Sequence, residues 1–235
     1  MLRIIDSDEP RQQHIDVGAD ALVGDFDLFD VLAIRSTTGT IDIGVHPQLA
    51  DKENPAPAEL LIDSSAGHVS VNFSAVNAPE RDYRVSIDTR AGAVDGNILH
   101  GRTTSISTVS GRIQMRITPY ASDDYASTLR TSSVAGEQQI SLLSPEKWPH
   151  VPIKHMSSHH TNVAGALILR YPKEWEGTIE GYTRFGNMEV CGEDLHFIRR
   201  GVDSRKGQYV LAKKGEGNST LNFHNDVGHV DLRFD

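Results

Sequence analysis

One short pattern recurs along the chain and limits its folding options more than any other feature. Alternating apolar residues lead to a small hydroxyl residue, two spacers, a glycine, and then alternating apolar residues again. It reads Ile34-Arg-Ser36-Thr-Thr-Gly39-Thr-Ile41-Asp-Ile43, then Ile62-Asp-Ser64-Ser-Ala-Gly67-His-Val69-Ser-Val71. Further copies end on Gly92, Gly111, Gly186 and Gly228, and looser ones, with longer turns, on Gly136 and Gly165. Period-2 alternation places every second side chain on one face of a strand. The hydroxyl can hold a turn, and glycine tolerates the backbone conformation that a sharp corner needs. Strands of this kind are rich in Ile and Val, as packed sheets prefer, and long segments of helical period are almost absent.

The pattern therefore predicts an all-β chain in which helix is minor. Two architectures fit it. In a single-stranded parallel β-solenoid of short coils, each repeat is one coil, and repeat glycines 19 to 29 residues apart suit that size. The last step, from Gly186 to Gly228, is 42 residues and leaves room for a degenerate coil through residues 201–217. The alternative is an antiparallel β-sandwich or barrel, because strand, Ser-x-x-Gly, strand also describes a hairpin with a glycine bulge. Residues 31–235 carry the repeat. Residues 1–30 lack it and read as an N-terminal capping segment, since a stack of coils needs a cover at its open end.

The repeated Ser/Thr-x-x-Gly-x-Ile/Val unit resembles the adhesin family of β-repeat domains of unknown function. Tyr171-Pro-Lys-Glu-Trp175-Glu-Gly177, Thr183-Arg-Phe-Gly186 and Cys191-Gly192 look most like its branch from filamentous fungi. The resemblance covers about residues 30–235. It implies a β-solenoid with parallel sheets and supplies no catalytic residues. The chain departs from the family spacing at Val134-Ala-Gly136 and Val163-Ala-Gly165, where bulged coils are expected.

Composition narrows the function. Lys plus Arg is 23 against 32 Asp plus Glu, a net charge of −9 with no basic patch, which argues against a nucleic-acid partner. No apolar stretch is long enough for a membrane span, and residues 1–10 lack the apolar run of a signal peptide, so the expectation leans to the cytoplasm. The single cysteine, Cys191, forbids an intrachain disulfide and reads as a small buried hydrophobe. No nucleophile elbow or phosphate loop is present, and Lys213-Lys-Gly-Glu-Gly217 lacks the Ser or Thr that a phosphate loop would place after its lysine. No cofactor and no catalytic residue is predicted, which weighs against an enzyme.

Three segments invite a sharper reading. Asp25-Phe-Asp27-Leu-Phe-Asp30 gathers three acids, but lacks the glycine and terminal glutamate of a calcium loop and reads as solvated acids on a strand or turn. Residues 47–57 form a Pro-rich surface loop, and residues 144–160 a longer one holding His150, His155, His159 and His160. His155 and His159 have the i, i+4 spacing of helical zinc ligands, yet the prolines oppose a helix, so no metal site is assigned. The aromatic residues Trp148, Tyr171, Trp175, Tyr182 and Phe185 cluster in the second half. Tyr171, Trp175 and Tyr182 are the candidate ligand-binding residues, suited to stack on sugar rings with Glu174, Glu176 or Asn187 bonding hydroxyls. Packing between coils is the competing use of the same side chains. The function predicted is a non-enzymatic, adhesin-like binding or scaffolding protein with a glycan or protein partner. The rivals are a polysaccharide lyase or hydrolase on a β-helix and a structural oligomer subunit.

Overall fold

A computed structural model describes residues 11–75, 77–120, 126–145, 150–203 and 207–235, and the backbone of 3–6. Among the described residues there is no helix. Strand β1 (Arg3–Asp6) is followed by pairs of strands. These are β2 (Gln12–Gly18) with β3 (Leu22–Leu28), β4 (Val31–Ser36) with β5 (Ile41–Pro47), β6 (Ala58–Ala66) with β7 (Val69–Phe73), and β8 (Tyr83–Ala91) with β9 (Val94–His100). Next come β10 (Thr103–Ser110) with β11 (Ile113–Pro119), β12 (Ser127–Ala135) with β13 (Gln138–Leu142), β14 (Met156–Ala164) with β15 (Leu167–Tyr171), and β16 (Gly177–Phe185) with β17 (Met188–Gly192). The chain then makes β18 (Leu195–Asp203) and β19 (Gly207–Lys214) and finishes with β20 (Ser219–Val227) and β21 (Val230–Phe234).

The first member of each pair enters a 12-stranded sheet and the second a 9-stranded sheet. Successive pairs, here called rungs, hydrogen-bond in parallel and in register. Among the described residues, antiparallel pairing is confined to β1–β2, β16–β19 and β18–β19. The apolar runs of one repeat thus sit in different sheets instead of closing on each other as hairpins. Parallel sheets are covered on their inner faces, and here each sheet covers the other. Inward residues stack in columns, such as Ile34, Ile62, Ile87 and Ile106 on the long sheet. All four are buried, and each contributes roughly 1.5–3 kcal/mol relative to exposure.

The corner explains the repeat. The N–H of Gly92 donates to Ser110, that of Gly111 to Ala135 and that of Gly136 to Ala164, each at 2.9 Å. Stacking at this distance leaves no room for side chains: a Cβ on Gly111 would fall on the carbonyl oxygen of Gly92, and one on Gly136 on that of Gly111. Under the glycines runs a buried polar column of Ser36, Ser64, Thr89, Thr108, Ser133, Asn162, Asn225 and Thr183. Five of these side chains, Ser36, Ser64, Asn162, Asn225 and Thr183, bond the corner backbone, as where Asn162 Nδ2 donates to Gly136 O (3.2 Å) and Asn225 Nδ2 to Gly165 O (3.1 Å). Ser133 and Asn162 correct the expectation of bulged coils. They occupy the hydroxyl position at normal spacing, and Ala135 pairs with both Ser110 and Ala164 without a register shift.

Two departures from the sequence reading concern order. Residues 12–28 are not a separate cover: β2 and β3 form a rung of their own, parallel to β4 and β5. Residues 195–214 are not a degenerate coil but an antiparallel hairpin on the edge of the long sheet. The 42-residue step to Gly228 has a further cause. Strand β20 lies between β14 and β16, and β21 between β15 and β17. The rung that comes last in sequence is inserted between two earlier ones, with Gly165 N donating to Val227 O and Gly228 N to Phe185 O, both at 2.9 Å.

The opposite corner is held by side chains. Arg81, almost fully buried, donates to the carbonyls of Phe29 (2.5 Å), Gln48 (2.8 Å) and Ala56 (2.6 Å) and to Asp30 Oδ1 (3.0 Å). Arg11 donates to Asp30 Oδ2 at 2.8 Å. Asp30 is held below the ordinary carboxylate range, chiefly by its hydrogen bond from Arg11 and then by Arg81. Of the three acids in the 25–30 run, Asp30 is therefore a structural anchor, while Asp27 accepts from Gln48 Nε2 at 2.8 Å.

Candidate functional site

The three aromatic candidates separate by face. Tyr171 ends β15 pointing inward and is 1% exposed; Trp175 follows a turn closed by Trp175 N to Pro172 O (3.0 Å) and is 0% exposed. Their rings meet edge to face at 5.9 Å, and both pack on Phe234, Trp175 at 5.4 Å and Tyr171 at 5.9 Å. A surface stacking role for Tyr171 and Trp175 is corrected by this burial: alternation puts Tyr171 on the core face at the end of β15, and the turn after Pro172 brings Trp175 in beside it. Tyr182 is outward on β16 and 41% exposed. Glu174 accepts from Ser144 Oγ (3.0 Å) and Glu176 from Glu216 N (3.2 Å), so these acids tie loops together. Cys191, expected to be buried, is exposed on β17. Trp148 lies outside the described residues.

The histidine-rich stretch also divides. Its last part is strand β14, where His159 points outward and His160 inward. Among the described residues, no three His, Cys, Asp or Glu side chains gather to hold a metal ion. His160 belongs to a buried relay. Tyr171 O–H donates to His160 Nε2 (2.7 Å), His160 Nδ1–H to Thr131 Oγ1 (2.7 Å), Thr131 O–H to Gln138 Oε1 (2.6 Å) and Gln138 Nε2 to Thr161 O (2.5 Å). One hydrogen per link fixes the neutral Nδ1–H tautomer. Burial pushes the His160 pKa down to about 3 and raises that of the Tyr171 hydroxyl.

Around Tyr182 the outer face forms a groove of about 800 Å³, lined by residues of β16, β18, β19 and β20. Parallel register sets His224 of β20 beside Tyr182, and antiparallel register sets Tyr209 of β19 on its other side. The Tyr182 and His224 rings are 3.9 Å apart, and His224 Nε2 lies 2.8 Å from Asp226 Oδ1. The Tyr209 ring covers Gly201 of β18, where a Cβ would approach it to 3.2 Å. Glu180, Asp203 and Asp226 contribute acids and Arg184 and Arg199 cations to the same walls. A smaller depression of about 360 Å³ lies at the far end of this face, around His14, Asp16, Arg35 and Asp63, where Arg35 pairs with Asp63 at 3.4 Å.

Sequence reasoning found Tyr182 and missed Tyr209, His224, Arg199 and Asp203. Alternation alone marks Tyr209 and His224 as strand residues. Only the antiparallel return of β19 and the insertion of β20 bring them to Tyr182. The chemistry of this lining is that of a site for a polar, ring-containing ligand. Aromatic faces offer apolar contact, carboxylates accept hydrogen bonds from hydroxyls, and guanidinium groups donate them.

By class, the molecule is an all-β protein of two parallel-dominated sheets with an aromatic and charged groove at one end of its longer sheet. Set against protein-family models, curated proteins and solved structures, the chain finds no match in any of the three.

Proposed function

We propose that the chain is a single-stranded parallel β-solenoid that binds a glycan chain in the groove around Tyr182, without turning it over. The adhesin-family resemblance of its repeats agrees with this reading. The observation that carries it is the row His224, Tyr182, Tyr209, side by side on three adjacent strands and bordered by charges of both signs. A groove with the Tyr182 ring exposed and His224 and Tyr209 part-buried beside it fits an extended ligand whose sugar rings stack while its hydroxyls reach Glu180, Asp226 or Arg184.

Affinity electrophoresis and calorimetry against neutral and acidic polysaccharides test it. Binding by the parent chain is expected, with a loss of about tenfold or more in affinity for Tyr182→Ala and Tyr209→Ala, equivalent to about 1.4 kcal/mol. Affinity unchanged in both variants, or no binding to any polysaccharide, overturns the site. Release of reducing or unsaturated ends during the same incubations would overturn the non-enzymatic part and favour a hydrolase or lyase.

A further inference from the structure

The two sheets do not end together. Beyond β16 and β17 the long sheet continues for two more strands, β19 and β18, while the short sheet stops at β17. The hairpin therefore overhangs, and among the described residues no further strand of the short sheet faces it. Val230 N donates to Asn187 O, so parallel alternation turns the N–H and C=O groups of Val190 and Gly192 to the open side. Among the described residues, the N–H of Met188 there meets a side chain, Gln208 Oε1 at 3.0 Å.

The overhang is built to be covered. Register with the buried Ala212 and Val210 places Phe197 and Arg200 on its inner face, where the Arg200 guanidinium lies over the Phe197 ring at 5.2 Å. Phe197 is 37% exposed, Ile198 57% and Val202 76%. A long apolar edge strand is a template for association unless something protects it. The same end also carries both signs of charge in separate places. Arg200 is on the inner face of β18, whereas Glu193 lies just beyond β17.

We propose that this end is the interface of a two-fold dimer of this chain, in which each overhanging hairpin covers the open edge of the partner's short sheet. A two-fold contact is self-complementary. It carries Arg200 of one copy toward Glu193 of the other and buries Phe197 and Val202 on both. The groove around Tyr182 lies on the outer face of the hairpin and stays accessible, so the dimer stands or falls independently of glycan binding.

Sedimentation velocity from micromolar to about 100 μM tests it, together with dipolar distance measurement between spin labels on Cys191, the only cysteine. The expected mass is twice 25.8 kDa, with a defined label-to-label distance. Val202→Glu and Arg200→Glu change exposed positions at that end. Both should return the chain to the single-copy mass and remove the distance, with thermal melting of the subunit retained. A single-copy mass for the parent at every concentration overturns the proposal. So does a dimer whose mass and label distance survive both variants, and so does open-ended growth into fibres.

Discussion

The ring of Phe223 occupies the space that a Cβ on Gly181 would need. The two residues face each other across β20 and β16, and the nearest ring carbons lie inside contact distance of that position. A large residue on the inserted rung is thus matched by none on its neighbour. Gly181→Ala is expected to cost about 1–3 kcal/mol through overpacking. In a double-mutant cycle with Phe223→Leu the penalties should fall short of their sum, because the smaller side chain relieves the clash. Urea midpoints of the four proteins check this, and additive penalties would refute it.

The stacked corners make Gly111→Val more severe than an ordinary surface change. Its φ of +156° lies at the margin of what β-branched residues adopt, and the added Cβ meets Gly92 backbone that cannot move aside. A loss of roughly 1–3 kcal/mol from backbone strain is the minimum expected. An unchanged denaturation midpoint would show that the corner relaxes freely.

The aromatic residues should separate stability from binding. Trp175→Ala empties a fully buried site and is expected to cost about 3–5 kcal/mol. Tyr182→Ala removes an exposed ring and should stay within about 0.5 kcal/mol of the parent while losing glycan. Melting curves measured beside the binding assays decide it. The prediction fails if Trp175→Ala melts with the parent.

Stability should fall as pH is lowered below neutrality. Burial holds the pKa of His100 near about 4 and of His160 near about 3, below the ordinary value of about 6.5. Between these values the unfolded chain binds protons that the folded chain does not, so stability rises with pH across that window and these groups add no slope above it. Each histidine supplies at most about 1.4 kcal/mol per pH unit. Asp30 and Asp231, both lowered, add losses in the same direction as pH falls further, below about 3.9. Urea midpoints from pH 7 to 4.5 should show the slope, and His160→Gln should flatten it. A parent midpoint constant from pH 7 to 5 would contradict the assignment.

Removing the Arg81 head group should release three turns at once. Arg81→Met leaves the Phe29, Gln48 and Ala56 carbonyls without their donor and Asp30 with only Arg11. A loss of roughly 3–5 kcal/mol is expected, the range for breaking a buried charge pair. Hydrogen exchange should quicken in residues 47–57 before it does in the sheets. Uniform exchange with no loss of stability would show that backbone packing holds these turns.

The repeat could be read in sequence because its causes are local: alternation selects the buried face, and the corner admits only glycine. Ser133 and Asn162 were legible in principle, since each stands three residues before its glycine, but asparagine in place of a hydroxyl disguised the second. The outward Tyr182 followed from the same alternation, whereas the burial of Trp175 depended on a turn after Pro172 that alternation does not describe. The rest of the groove was hidden for a different reason. The backbone groups of every rung match those of every other, so nothing in residues 219–234 names β14 and β16 as their neighbours except such fits as Phe223 on Gly181.

That insertion has a consequence for how the molecule can be assembled in time. Residues 177–192 emerge from synthesis before residues 219–234, yet in the finished stack they lie one rung further out. If the earlier segment pairs at once with β14 and β15, it closes the slot its successor must fill, and that contact has to break before folding can finish. Building this protein from one end to the other in order of synthesis therefore passes through either a rung held in waiting or a rung set down and lifted again.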